Sequence, residues 1–311
     1  MELGFQWTVP TSVRRIVRKT IRIMPTTITQ GFEKLRENLR ITDLQEETVT
    51  TRQRNIRETV EEEMKVVDTF LTGSYERGTM ITPLKTADVD VFVVLDKSFY
   101  QENGQASLLD KVKRVLKRTY PNTPEISRNG QAVTVTFSDF KVDVVPGFAR
   151  DGGGYLIADS ILGRWIATDP KRHIIVWQLA HKAHNYNLSP LSKMVKAWNR
   201  EHGRLLRSFH LEAMTMQILE GITISSFPLG IGYVLDQART QVRYAVIDPA
   251  GYGGNVGAYL DSQTKINDVV SRLETANRRA VEAIQLEGEG KTQLAFEKWR
   301  LIFGDCFPAY G

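Results

Sequence analysis

From Thr29 to Asp68 the apolar residues Phe32, Leu35, Leu39, Ile56, Val60, Met64 and Val67 recur at near-helical spacing between charged neighbours. That periodicity predicts one long amphipathic helix over 29–68, able to brace two lobes, with Glu61, Glu62 and Glu63 on its wet face. The pattern then shortens to strand-like runs. Val89 to Leu95 is an apolar run broken by Asp90, and Ala132 to Phe137 and Phe140 to Val145 flank Ser138-Asp139 like the arms of a hairpin. Between them Leu108 to Tyr120 reads as a helix, with Leu109, Val112, Val115 and Leu116 on one side. From about 171 onward the spacing is helical again, in His173 to Tyr186, Leu191 to His202, Phe209 to Glu220, Asp261 to Leu286 and Thr292 to Phe303, with Gly- and Pro-rich joints. The expected fold is therefore α/β (α+β) and bilobed: a mixed-sheet lobe, a helical lobe and the long bracing helix. The expected divisions are a basic N-terminal segment, 1–28, an α/β lobe, 29–170, and a helical lobe, 171–311.

Composition narrows the class without naming a function. The 311 residues are 41% hydrophobic and 25% charged, which excludes a disordered or fibrous chain, and the length suits two lobes around a cleft. The single cysteine, Cys306, cannot form an internal disulfide, so a cytoplasmic protein is expected. No apolar run approaches a membrane span or a signal peptide. Lys and Arg number 41 against 36 Asp and Glu, a formal charge of +5 that suits a polyanionic partner and leaves nucleic-acid binding open. Arg14, Arg15, Arg18, Lys19 and Arg22 would make a basic stripe if helical, though Val13, Ile16, Val17, Ile21 and Ile23 read equally as a strand. A solvated basic face is the simpler reading of that segment, which also resembles a transit peptide.

The chemistry concentrates in Gly73-Ser74 and Asp88-Val89-Asp90. Acids two apart on a strand point to one side, so Asp88 and Asp90 converge while Val89, Val91 and Val93 face the core and Phe92 continues the carboxylate face. Asp143 lies mid-strand in Lys141-Val142-Asp143-Val144 and needs a partner. If its strand lies beside Val89 to Leu95, three carboxylates can hold divalent cations, Mg²⁺ foremost with Mn²⁺ as a substitute, because hard ions prefer carboxylate oxygens and substrate phosphates. Gly73 lets a backbone approach a triphosphate and Ser74 donates a hydrogen bond to it. Taken singly, a Gly-Ser pair is a turn and Asp-x-Asp a surface strand or calcium-like loop; together with the third acid they point to nucleotidyl transfer.

These residues resemble the DNA polymerase β-like nucleotidyltransferases, and within them the cGAS/DncV-like nucleotidyltransferases (CD-NTases) of bacterial CBASS anti-phage signalling, related to oligoadenylate synthetase. The resemblance runs from about Thr29 to Phe307. It implies that Leu191 to Trp198 and Leu206 to Glu212 are helices clamping a donor nucleotide, with Lys196 and Ser208 on its phosphates and Phe209 stacked on its base. A helix-surface cation and a core aromatic are the alternatives for Lys196 and Phe209. By the same resemblance Asp88, Asp90 and Asp143 are the catalytic metal ligands, NTPs with ATP among them are the substrates, and a cyclic di- or trinucleotide second messenger is the product. It further suggests a regulatory CBASS partner, or one conjugating the chain through Gly311. Asp248-Pro249-Ala250-Gly251 and Asn255-Val256 resemble a loop near the cleft whose role is open, and Trp299 to Phe307 the closing helix. The zinc ribbon of animal cGAS is absent, and His173, His181, His184, His202 and His210 read as ordinary core or surface imidazoles. RNA tailing, nucleotide capping of a protein or small molecule, and a non-catalytic nucleotide-binding scaffold are the competing functions.

Overall fold

The computed structural model describes residues 24–311; the basic stripe from Arg14 to Arg22 lies outside the described residues. The long helix expected over 29–68 is two helices, α1 (Ile28–Asn38) and α2 (Asp43–Glu61), followed by a strand, β1 (Val66–Thr72). Each helix has its own start signal. Thr27 caps α1 and Thr42 caps α2, each accepting from the backbone of a glutamine three residues on, whose side chain reaches back to the cap. A fresh capping box at Thr42 ends the first helix. Val66, Val67, Thr69 and Thr72 are β-branched and favour a strand, so Val67 belongs to β1 and not to a helix.

The chain continues through a four-residue turn of helix, α3 (Gly73–Glu76), β2 (Asp88–Leu95), α4 (Gln105–Thr119), β3 (Glu125–Asn129), β4 (Ala132–Thr136) and β5 (Lys141–Ala149). A hairpin absent from the sequence reading, β6 (Tyr155–Asp159) and β7 (Arg164–Thr168), completes one mixed sheet of order β1-β2-β5-β4-β3, with β6 paired to the end of β5 and β7 to β6. β2 and β5 are parallel and the other pairs antiparallel. Val89, Val91 and Val93 enter a core closed by α2 and α4, while Phe92 and Val94 pack on the opposite face with Ile157.

Beyond Asp169, which caps the next helix and precedes Pro170 at its first position, the chain is helical. The elements are α5 (Pro170–Ala183), α6 (Leu188–Glu201), α7 (Ser208–Ile218), α8 (Phe227–Gln241), α9 (Gln263–Gly288) and α10 (Thr292–Phe303), of which α8 is additional to the expected set. They enclose a second core around Trp177, Trp198, Leu273 and Trp299. Ile28, Phe32, Leu35 and Leu39 of α1 belong to this second core, and Phe32 meets Trp299 edge-on with ring centroids 4.8 Å apart. The first two helices thus divide between the cores. Among the described residues no helix is long and apolar enough to cross a membrane.

Candidate active site

β2 and β5 lie side by side with Asp90 in register with Asp143 and Asp88 with Lys141. Since the valines between the acids face the core, the carboxylates face the other way, into a cleft of about 680 Å³ between the lobes. Gly73 and Ser74 form its neighbouring lip, where β1 turns into α3. Gly73 has φ +66°, and a Cβ there would sit 1.8 Å from Asp90 Oδ2. Only glycine lets this backbone lie against that carboxylate. The turn is folded tight by the amides of Thr79 and Met80, both donating to the Ser74 carbonyl at 2.9 Å.

The acids are held in an unfavourable state. Among the described residues, none of the ion pairs involves Asp88, Asp90 or Asp143. Burial, and then the charge of Asp143, push the Asp90 carboxyl up to about 7. Burial also raises Asp143, opposed by the Thr134 hydroxyl donating to Oδ1 at 2.5 Å, and it raises Asp88, opposed by the charges of Lys141 and Arg204. Side-by-side acids without a compensating cation are what a divalent ion would relieve. The donor set is all carboxylate oxygen, which fits a hard cation. Among the described residues no group of three acid, His or Cys side chains is placed to hold an ion by itself.

The helical wall brings the remaining expected residues to the same cleft. Lys196 on α6, and Ser208 and Phe209 at the start of α7, all line it. Ser208 is exposed and Phe209 half-buried, but Lys196 is buried, and its ammonium donates to the Thr79 carbonyl at 3.0 Å and to Glu212 Oε1 at 2.8 Å. Two of its three N–H groups are thereby committed, leaving one for a ligand.

Glu212, unnoticed in the sequence, is the hub of this wall. Its carboxylate, 1% exposed, also accepts from Arg77 Nε at 2.9 Å and from Thr79 Oγ1 at 2.8 Å. The Lys196 and Arg77 charges hold it at about 2 against the opposing effect of burial. The only sequence signal was an acid inside the apolar run Leu211-Glu212-Ala213-Met214. Thr134, Arg77 and Arg204 were missed too, because nothing in their local spacing separates them from ordinary strand and loop residues. Arg77 lies over the Phe209 ring at 5.1 Å, and Arg204 stands at the cleft with φ 52°.

Comparison with known proteins finds similarity over most of the chain. Residues 26–178 match the model of the Second Messenger Oligonucleotide or Dinucleotide Synthetase domain. A cyclic AMP-AMP-AMP synthase from Acinetobacter is 27% identical over 259 residues, covering 78% of this chain and 73% of that protein. The fold is shared with Escherichia coli CdnC in its complex with a HORMA protein, at a TM-score of 0.74 and 18% identity, over 90% of this chain and 98% of CdnC. It is shared as well with the Vibrio cholerae dinucleotide cyclase DncV, at 0.66 and 17%, over 90% of this chain and 86% of DncV.

Proposed function

Because the chain belongs to the cGAS/DncV-like nucleotidyltransferases, we propose that it joins nucleoside triphosphates, ATP among them, into a cyclic oligonucleotide second messenger, releasing pyrophosphate, as part of bacterial anti-phage defence. The observation that carries the reading is Asp90 in register with Asp143 across β2 and β5, against the Gly73 turn. The cyclic product is supported by the synthase name of the Acinetobacter relative.

In this reading Asp88, Asp90 and Asp143 hold Mg²⁺, for which Mn²⁺ can substitute. When bound, the ion neutralises the triphosphate and acidifies the attacking hydroxyl. The chain's own groups do the rest. Gly73 and Ser74 receive the phosphates, with the free N–H of Lys196 and the hydroxyl of Ser208 donating from the opposite wall. Phe209 offers its ring to the donor base, and any base has a face to stack on it. Asp143, with Oδ1 occupied by Thr134, keeps Oδ2 for the acceptor side. A ribose hydroxyl gives up its proton on the Asp143 side as its oxygen bonds to the α-phosphorus, the bond from that phosphorus to the bridging oxygen breaks, and pyrophosphate leaves. A final transfer within the linear product closes the ring and releases a last pyrophosphate.

A regulatory protein partner belongs to the same proposal, since E. coli CdnC is found with a HORMA protein. Conjugation through Gly311 would first require the tail to lift, because Tyr310 packs on Phe296 at 5.4 Å and the Gly311 amide donates to the Pro25 carbonyl at 3.4 Å. The test is incubation with labelled NTPs and Mg²⁺, phosphatase treatment, and chromatography with mass spectrometry. A phosphatase-resistant small product is expected. Labelled RNA or protein instead, or no product with the partner present, would overturn the cyclic reading.

A further inference from the structure

The loop after α8 that the sequence singled out without a role is tied to the cleft by one side chain. Asp248, 6% exposed, accepts from the amides of Ala250, Tyr252 and Gly253 at 3.1, 3.2 and 2.6 Å, so the loop folds around its carboxylate. Its Oδ1 also lies 2.5 Å from His173 Nε2. Against burial, the imidazole and then the amides of Gly253 and Ala250 hold this carboxyl down at about 2, so it stays anionic and accepts a hydrogen bond from His173. The imidazole is thereby fixed with its proton on Nε2 and its ring turned to face the cleft.

What that ring touches is Phe209. The two centroids are 5.0 Å apart with the planes at 69°, an edge-to-face contact, while the Arg77 guanidinium lies over the same Phe209 ring. Behind Phe209, Trp177, Met216 and Pro249 border a void of about 10 Å³ that also touches His173 and Glu212. Phe209 is half-buried rather than enclosed, so its plane depends on the groups at its edge and face. Arg77 is itself anchored by Glu212. His173 is anchored by Asp248.

We propose that the Asp248–His173 pair is a positioning device for the donor nucleotide: it holds the His173 ring edge-on to Phe209, and so sets the platform on which the nucleobase stacks. This rests on Phe209 being the stacking residue. Among the described residues the pair makes no hydrogen bond to Asp88, Asp90 or Asp143, so its contribution falls on nucleotide binding rather than on the chemical step. Folding the 248–254 loop about the same carboxylate links that loop's conformation to the platform.

The test is a double-mutant cycle on the full chain, read by KM and kcat for ATP with Mg²⁺ and by binding of an ATP analogue that cannot transfer its nucleotidyl group. His173→Gln retains a donor for Asp248 but removes the ring; it is expected to raise KM and the analogue Kd about fivefold, with kcat changed less than twofold. His173→Phe, which keeps an aromatic edge but cannot donate to Asp248, is expected to recover little of that affinity, and full recovery would overturn the role of the pair. In a Phe209→Ala background, His173→Gln should add nothing further. Equal affinity of His173→Gln and wild type, or additive losses in the double variant, would overturn the positioning role while leaving Phe209 as the platform. If Phe209→Ala itself left analogue binding intact, the stacking assignment and this inference would fall together. Thermal melts guard against misfolding, Asp248→Asn is expected to raise the analogue Kd as His173→Gln does, and ¹⁵N shifts of labelled imidazoles report the tautomer directly: a proton on Nε2 is expected in wild type, and a neutral His173 protonated only on Nδ1 would overturn the proposal.

Discussion

Glu212→Gln removes one negative charge from a site where two buried cations depend on it. Arg77 and Lys196 have side chains 8% and 7% exposed, and both donate to Glu212, as does Thr79. The amide keeps the shape but loses the charge, and its NH₂ group meets donors where an acceptor stood. Removing one partner of a buried pair costs about 3–5 kcal/mol. A second route gives a similar figure. The carboxyl is held at about 2 against an ordinary 4.5, and at about 1.4 kcal/mol per pH unit that shift corresponds to roughly 3 kcal/mol. Because the folded-state value is depressed, this stability is present above about pH 4.5 and is lost as pH falls toward 2. Thermal and urea melts of wild type and variant should therefore differ by about 3 kcal/mol at pH 7, roughly 5 °C in Tm for a chain of this length. The gap should close between pH 4.5 and pH 2.5 as wild type loses its advantage. Melts within 2 °C of each other at neutral pH, or a gap that does not shrink on acidification, would refute the reasoning.

Asp90→Asn should lower nucleotidyl transfer by roughly 10³-fold, the several kcal/mol that a lost metal ligand removes, while raising Tm in EDTA, because it relieves the charge opposed by Asp143; discontinuous assay and calorimetry read the two. In EDTA the raised Asp90 value makes wild type lose stability as pH climbs from about 4 toward 7, and Asp90→Asn should flatten that slope in pH-resolved melts. Gly73→Ala places a Cβ into Asp90 Oδ2 at a positive φ and should cost about 1–2 kcal/mol of stability with activity falling far more than Tm implies. Phe209→Ala should weaken nucleotide binding by about 1–3 kcal/mol, as for a lost base–aromatic stack, with Phe209→Trp close to wild type by calorimetric titration.

The acids and the glycine were legible because their signals are local. A period of two placed Asp88 and Asp90 together, and the hydrophobic run around Asp143 marked it as buried in a strand; that the two strands pair in parallel with Asp90 opposite Asp143 comes from the structure alone. The helix boundary at Thr42 was also in the sequence, as Thr-x-x-Gln, but the apolar spacing on either side concealed it. β6 and β7 were missed because Tyr155 to Thr168 is mostly half-buried and lacks a clean alternation. Glu212, Arg77 and His173 were not legible at all. Their roles arise from contacts across 135 and 75 positions of chain, Arg77 to Glu212 and His173 to Asp248, which no local window contains.

The placement of α1 bears on how the protein can be taken apart. Its apolar stripe is buried against Trp299, Phe303 and Phe307 near the other end of the chain. A recombinant piece cut after β7 would keep this helix but lose everything it packs against, presenting Ile28, Phe32, Leu35 and Leu39 to water as a sticky seam. Adding the helical lobe from α5 onward back as a separate fragment, which restores α6, α8 and α10 together, should restore solubility to such a piece.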